Sequence, residues 1–75
     1  MLEVGDYVMI NKKVYIIGHY HPELNNLFNR ATRIIEVGEY ENGVVYYKLD
    51  ITKHCSFPFA FGESNLINIK SEGGV

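Results

Sequence analysis

The chain has 75 residues, 47% of them hydrophobic, with seven basic against nine acidic side chains and a formal charge of -2. That length supports one domain with a modest core, and the apolar share excludes intrinsic disorder. One cysteine, Cys55, excludes an internal disulfide framework, and no apolar run approaches the length of a membrane-spanning helix. With no signal-peptide pattern visible, a reducing cytoplasmic compartment is expected.

Gly5-Asp6 opens a first strand over Tyr7 to Ile10. A polar turn, Asn11-Lys12-Lys13, leads to a second apolar run, Val14-Tyr15-Ile16-Ile17. The two runs either pair as a small hairpin or form one strand that continues into a long loop. Gly18 to Asn29 is irregular, because Pro22 disfavours helical backbone at His21. Pro22 also suits the first position of a short helix, with Leu24, Leu27 and Phe28 on one apolar stripe. Asn25, Asn26 and Asn29 oppose a longer one.

The next stretch, Ala31 to Ile51, carries the strongest local signal. Two runs rich in β-branched and aromatic residues flank Glu41-Asn42-Gly43, which predicts a hairpin. A two-residue loop would set Glu36 opposite Leu49 and Val37 opposite Lys48, mixing charge with apolar groups on both faces. A three-residue loop with Gly43 in the left-handed region pairs Tyr40 with Val44. Glu36 then meets Lys48, an opposite-charge pair, and a single apolar face forms from Ile35, Val37, Val45, Tyr47, Leu49 and Ile51. The bulged loop is therefore preferred, and Tyr40, Val44 and Tyr46 share the opposite face, with Gly38 leaving room beside Tyr46.

Thr52 to Ser56 reads as a loop. Phe57, Phe59 and Phe61 alternate with Pro58, Ala60 and Gly62, so a strand is expected with its three rings on one face, at an edge or at its start because of Pro58. Glu63-Ser64-Asn65 suits one helical turn, and Leu66-Ile67-Asn68-Ile69 a closing strand. Residues 71–75 form a polar, Gly-rich tail expected to fray, which leaves a single domain over residues 1–70.

The fold class is therefore mostly β. Five short strands, a long first connection and a single helical turn before the last strand resemble an SH3-like barrel. Phe61-Gly62-Glu63-Ser64-Asn65-Leu66-Ile67 resembles the strand, 3₁₀ turn and closing strand of SH3 domains. Gly5-Asp6-Tyr7-Val8 is similar to the opening of KOW-like and SH3-like prokaryotic barrels, and small phage and mobile-element proteins share the pattern. The likeness covers about residues 4 to 70. SH3 domains take Pro-rich peptides in an aromatic groove, which the resemblance implies only if the groove residues are present. Here no Trp exists, the long loop offers only Glu23 as an acid, and Leu66 stands where the groove has Tyr. Binding of that kind is not expected.

Candidate chemistry is sparse. His19, His21, His54 and Cys55 are ligand types for a tetrahedral metal, but adjacent His54 and Cys55 tend to diverge and His19-x-His21 is not a standard structural pair. Solvated histidines and a small buried cysteine account for them, so no metal or other cofactor is expected. His54 beside Cys55 does not supply a nucleophile with an oriented base. No two of Asp6, Glu36, Glu39, Glu41, Asp50 and Glu63 converge by spacing, and no Gly-rich phosphate loop exists, so no catalytic residue is expected. The expectation is a non-enzymatic protein–protein interaction module, an adaptor, inhibitor or small subunit. It would contact a protein partner through Tyr40, Val44 and Tyr46, extended by Tyr20 from the long loop, with no membrane contact. The alternative is a KOW-like nucleic-acid binder using Lys12, Lys13, Arg30 and Arg33 with nearby tyrosines.

Overall fold

The computed structural model describes residues 2–15 and 20–69. Four strands form one antiparallel sheet: β1 (Tyr7–Ile10), β2 (Thr32–Glu39), β3 (Val45–Leu49) and β4 (Leu66–Asn68), in the order β3-β2-β1-β4. Short 3₁₀ turns at Lys12–Tyr15, Pro22–Asn26 and Glu63–Asn65 complete the described elements. No helix among the described residues is long and apolar enough to cross a membrane.

The long β2–β3 hairpin takes the register its charges and apolar residues favour. Glu36 pairs with Lys48, Val37 with Tyr47 and Gly38 with Tyr46. The Tyr40 amide donates to the Val44 carbonyl, and the Gly43 amide to the Tyr40 carbonyl, across the three-residue loop. Gly43 sits at φ +87°, where a Cβ is strained.

One feature departs from a regular ladder. Ile34 pairs with Leu49 while Glu36 pairs with Lys48, so Ile35 is an extra residue, a β-bulge. The bulge inverts the alternation within β2. Ile34, not Ile35, enters the core, and Ile35 is 47% exposed. Tyr47, Leu49 and Ile51 are buried as expected. Val37 and Val45 lie on the same face as Tyr47 but remain about two-fifths exposed, because the hairpin tip projects past the packed region.

The core gathers Val8, Ile10, Ile34, Tyr47, Leu49, Ile51, Phe61 and Leu66 from the sheet and its connections, with Leu24 and Leu27 from the Pro22–Asn26 turn and the residue after it. Pro22 opens that turn, and the His21 ring nitrogen Nδ1 accepts from the Glu23 amide at 3.2 Å as its cap. The second apolar run is not a strand where described: Lys12–Tyr15 is a 3₁₀ turn, and Ile16 and Ile17 lie outside the described residues.

The expected strand through Phe57, Phe59 and Phe61 shrinks to one bridge. Phe61 and Tyr47 exchange both backbone bonds, at 2.8 and 2.9 Å. Upstream, the Phe59 amide turns back to the Phe57 carbonyl, which breaks the extended geometry. The rings touch in series, Phe57–Phe59 at 4.7 Å and Phe59–Phe61 at 5.9 Å, but only Phe61 is buried. After Phe61, the Glu63–Asn65 turn is capped by the Asn65 carboxamide accepting from the Gly62 amide at 2.9 Å, and β4 then pairs with β1. The segment thus leaves one edge of the sheet and returns along the other. The 71–75 tail lies outside the described residues.

Candidate functional site

Pairing of Gly38 with Tyr46 builds the outward face of the hairpin. The Tyr46 ring lies over Gly38, where any Cβ would strike its Cζ and hydroxyl. That hollow lets Tyr46 lean along the sheet, where its hydroxyl donates to Glu36 Oε2 at 3.1 Å. The Glu36 bond and its negative charge push the Tyr46 phenol above its ordinary value. Tyr40, just past the end of β2, packs on Tyr46 with ring centroids 4.8 Å apart and planes tilted by 35°. Val44, beside Tyr46 on the same face, is half exposed, as is Tyr40. Three of the four expected partner residues therefore form one patch on a paired strand scaffold.

Tyr20 does not join them. Its ring belongs to a second cluster with Tyr15 at 5.7 Å and Phe28 at 5.8 Å, and its hydroxyl donates to Asn25 Oδ1 at 3.1 Å. Burial raises the Tyr15 phenol. Lys12 Nζ sits 5.6 Å from the Phe28 centroid, a cation–π contact, and these four side chains line a hollow of about 220 Å³. The sequence grouped Tyr20 with the hairpin tyrosines by residue type alone, whereas the apolar stripe of the Pro22 turn anchors this segment on the core instead.

The four basic residues are dispersed in their contacts. Lys12 attends the second aromatic cluster, and Arg30 donates through Nε to the Asn26 carbonyl at 2.7 Å, closing the end of the Pro22 turn. Arg33 lies on β2 opposite Tyr7 and lines a different, polar pocket. Lys13 is exposed beside Lys12.

The histidines and the cysteine also separate into structural roles. His19 lies outside the described residues. The His21 ring stacks on Phe57 at 4.8 Å, besides capping the Pro22 turn. Cys55 is buried and donates through Sγ to Glu23 Oε1 at 3.2 Å. Among the described residues no cluster of three or more metal-ligating side chains forms. Burial, with the neighbouring Glu23 carboxylate, pushes the Cys55 thiol up and keeps it protonated.

Glu23 is the residue that sequence reasoning passed over. Its Oε1 accepts from the Ser56 and Phe57 amides at 3.2 and 3.1 Å as well as from Cys55, and Oε2 accepts from the Ser56 hydroxyl at 3.0 Å. Those hydrogen bonds, led by Cys55 and Ser56, hold its carboxyl below the ordinary value. The clamp joins positions more than 30 residues apart, and nothing in local spacing announces it. It fixes the start of the Phe57-Pro58-Phe59 segment, which with Ile35, Leu49 and Ile51 lines an apolar groove of about 160 Å³.

No protein-family model matches the chain, and no curated protein or solved structure matches it.

Proposed function

We propose that this chain is a non-enzymatic protein–protein interaction module of the cytoplasm, acting as an adaptor, inhibitor or small subunit. In this proposal the sheet is an SH3-like five-stranded barrel, with the Phe57–Phe61 segment, bridged to β3 at Phe61, in the place of the fifth strand. The observation that carries the functional reading is the Tyr40–Tyr46 pair. The Tyr40 ring and Val44, both half exposed, lie with the partly buried Tyr46 ring on one hairpin face and give amphipathic contact area at small entropic cost, which is what protein interfaces favour. Tyr46 is held from two sides, by Glu36 and by Tyr40, so its surface is preorganised. Tyr20 packs with Tyr15 and Phe28 instead, so it is assigned no direct part in this patch.

The competing reading is a nucleic-acid binder. It draws on Lys12, poised beside Tyr15, Tyr20 and Phe28, since a cation next to stacked rings suits an unpaired base. Tyr46→Ala separates the two. Under the interaction reading it leaves the circular dichroism spectrum and cooperative melt in place and weakens capture of a specific host protein by about 2 kcal/mol. Under the competing reading the wild type shifts oligonucleotides in a gel with steep salt dependence, and Lys12→Glu abolishes the shift. Oligonucleotide binding with an empty protein capture overturns the proposal.

A further inference from the structure

We infer that the polar pocket between β1, β2 and the turn after β3 is a binding site for the phosphoryl group of a small phosphate ester. The pocket has a volume of about 320 Å³ and is lined by Arg33, Lys53 and His54 together with Tyr7, Thr32 and Asp50. That size sits at the lower end of small-molecule sites, which run from about 300 to 1,000 Å³.

Three backbone locks hold the walls. Arg33 is on β2, paired with Tyr7 of β1. The Asp50 amide donates to the Arg33 carbonyl at 2.9 Å, which ties the chain leaving β3 back onto β2. The turn that carries Lys53 and His54 closes with the His54 and Cys55 amides both donating to the Ile51 carbonyl, at 2.9 and 3.0 Å. Asn26 adds a side-chain bond from Nδ2 to the His54 carbonyl at 3.1 Å, so the turn is also pinned from the Pro22 segment. The basic side chains therefore start from fixed backbone positions around one concavity.

Their functional groups are uncommitted. Among the described residues, the side chains of Arg33, Lys53 and His54 have no hydrogen-bond or ion-pair partner. A guanidinium offers a planar fork of donors, an ammonium three rotatable donors and an imidazole one more, which together match the oxygens of a phosphoryl group. Tyr7 also lines the pocket, and a phenol is a further donor. Asp50 is the one carboxylate lining the pocket, and it limits the net positive field. That balance favours a compact anion held by directed hydrogen bonds over a polyanion held by field alone. This pocket is separate from the tyrosine patch, and its assignment does not depend on the interaction proposal.

The test is a two-dimensional amide NMR titration of the full chain with inorganic phosphate, with a sugar phosphate and with a single-stranded oligonucleotide. Saturable shifts confined to the amides of Tyr7, Thr32, Arg33, Asp50, Lys53 and His54 are expected with phosphate or the sugar phosphate. The relative affinity of the two identifies the free anion or the ester as the better ligand. Arg33→Gln and Lys53→Gln should each weaken binding at least about tenfold while the rest of the spectrum is unchanged. Lys53 is an exposed turn residue, so its variant remains informative if Arg33→Gln fails to fold. Lys12→Gln, at a different hollow, should leave the affinity as it was. Absence of saturable shifts with both small anions, binding of the oligonucleotide alone, or an equal loss in Lys12→Gln would each overturn the assignment.

Discussion

Gly38 carries the tyrosine patch by having no side chain. A methyl group there would meet the far end of Tyr46, which can swing away without disturbing the backbone. Gly38→Ala is therefore expected to cost about 1 kcal/mol in stability while removing the Tyr40–Tyr46 ring contact, seen as a reduced near-ultraviolet tyrosine signal. Gly43 is different: no atom closer than 3.7 Å opposes a Cβ, so Gly43→Ala pays only for the strain of φ +87°, about 1 kcal/mol or more by denaturant melts. Glu23 sets an acid limit. Its folded carboxyl is held below the ordinary value of 4.5, so its contribution is complete above that value and disappears as pH falls through the lower folded one. Thermal melts taken from neutral pH down to about pH 3 should show the wild type losing stability more steeply than Glu23→Gln, which is already weakened at neutral pH. Identical acid limbs would show that the clamp does not form. The Gly43 requirement was legible because a three-residue loop needs a left-handed residue at its end. The Glu23 clamp was not, because it depends on a fold that brings positions 23 and 55–57 together.

At the level of elements, alternation and punctuation located most boundaries. Tyr7–Ile10, the Pro22 turn and the hairpin register follow from Gly-Asp, Pro and charge pairing, and the polar break Glu63-Ser64-Asn65 forms the expected helical turn. Two of the departures have one cause each. The bulge at Ile35 inserts a residue between Ile34 and Glu36, and two adjacent isoleucines offer no cue as to which one turns inward. The Phe57–Phe61 alternation has period two without a ladder, since the Glu23 clamp and Pro58 shape its start and only Phe61 reaches β3. The three phenylalanines consequently differ. Phe61→Ala, at 3% exposure, should cost about 3–5 kcal/mol and unfold so small a domain. Phe57→Ala, at 47% exposure, should cost less than about 1 kcal/mol in the same urea melts. Equal losses at the two positions would mean that the segment is a regular buried strand.

For the whole molecule, the sheet presents chemically distinct surfaces: a packed tyrosine pair at the hairpin tip, an apolar groove beside the bulge, and a basic pocket where β1, β2 and the turn after β3 meet. The hairpin patch was legible in the sequence because register alone decides which side chains share a face. The separation of Tyr20 from it, and of Lys12 from Arg33, was not, since Tyr20 and Lys12 belong to connections whose docking is settled by Leu24 and Leu27 in the core. The central claim, that the hairpin tip receives a protein partner, is tested most directly by placing a photo-reactive benzophenone side chain at position 40 in host cells. Irradiation is expected to give a discrete protein adduct that disappears when Tyr46→Ala is added, while the same group at position 15 gives none. An adduct with nucleic acid, or a protein adduct that is unchanged by Tyr46→Ala, would contradict it.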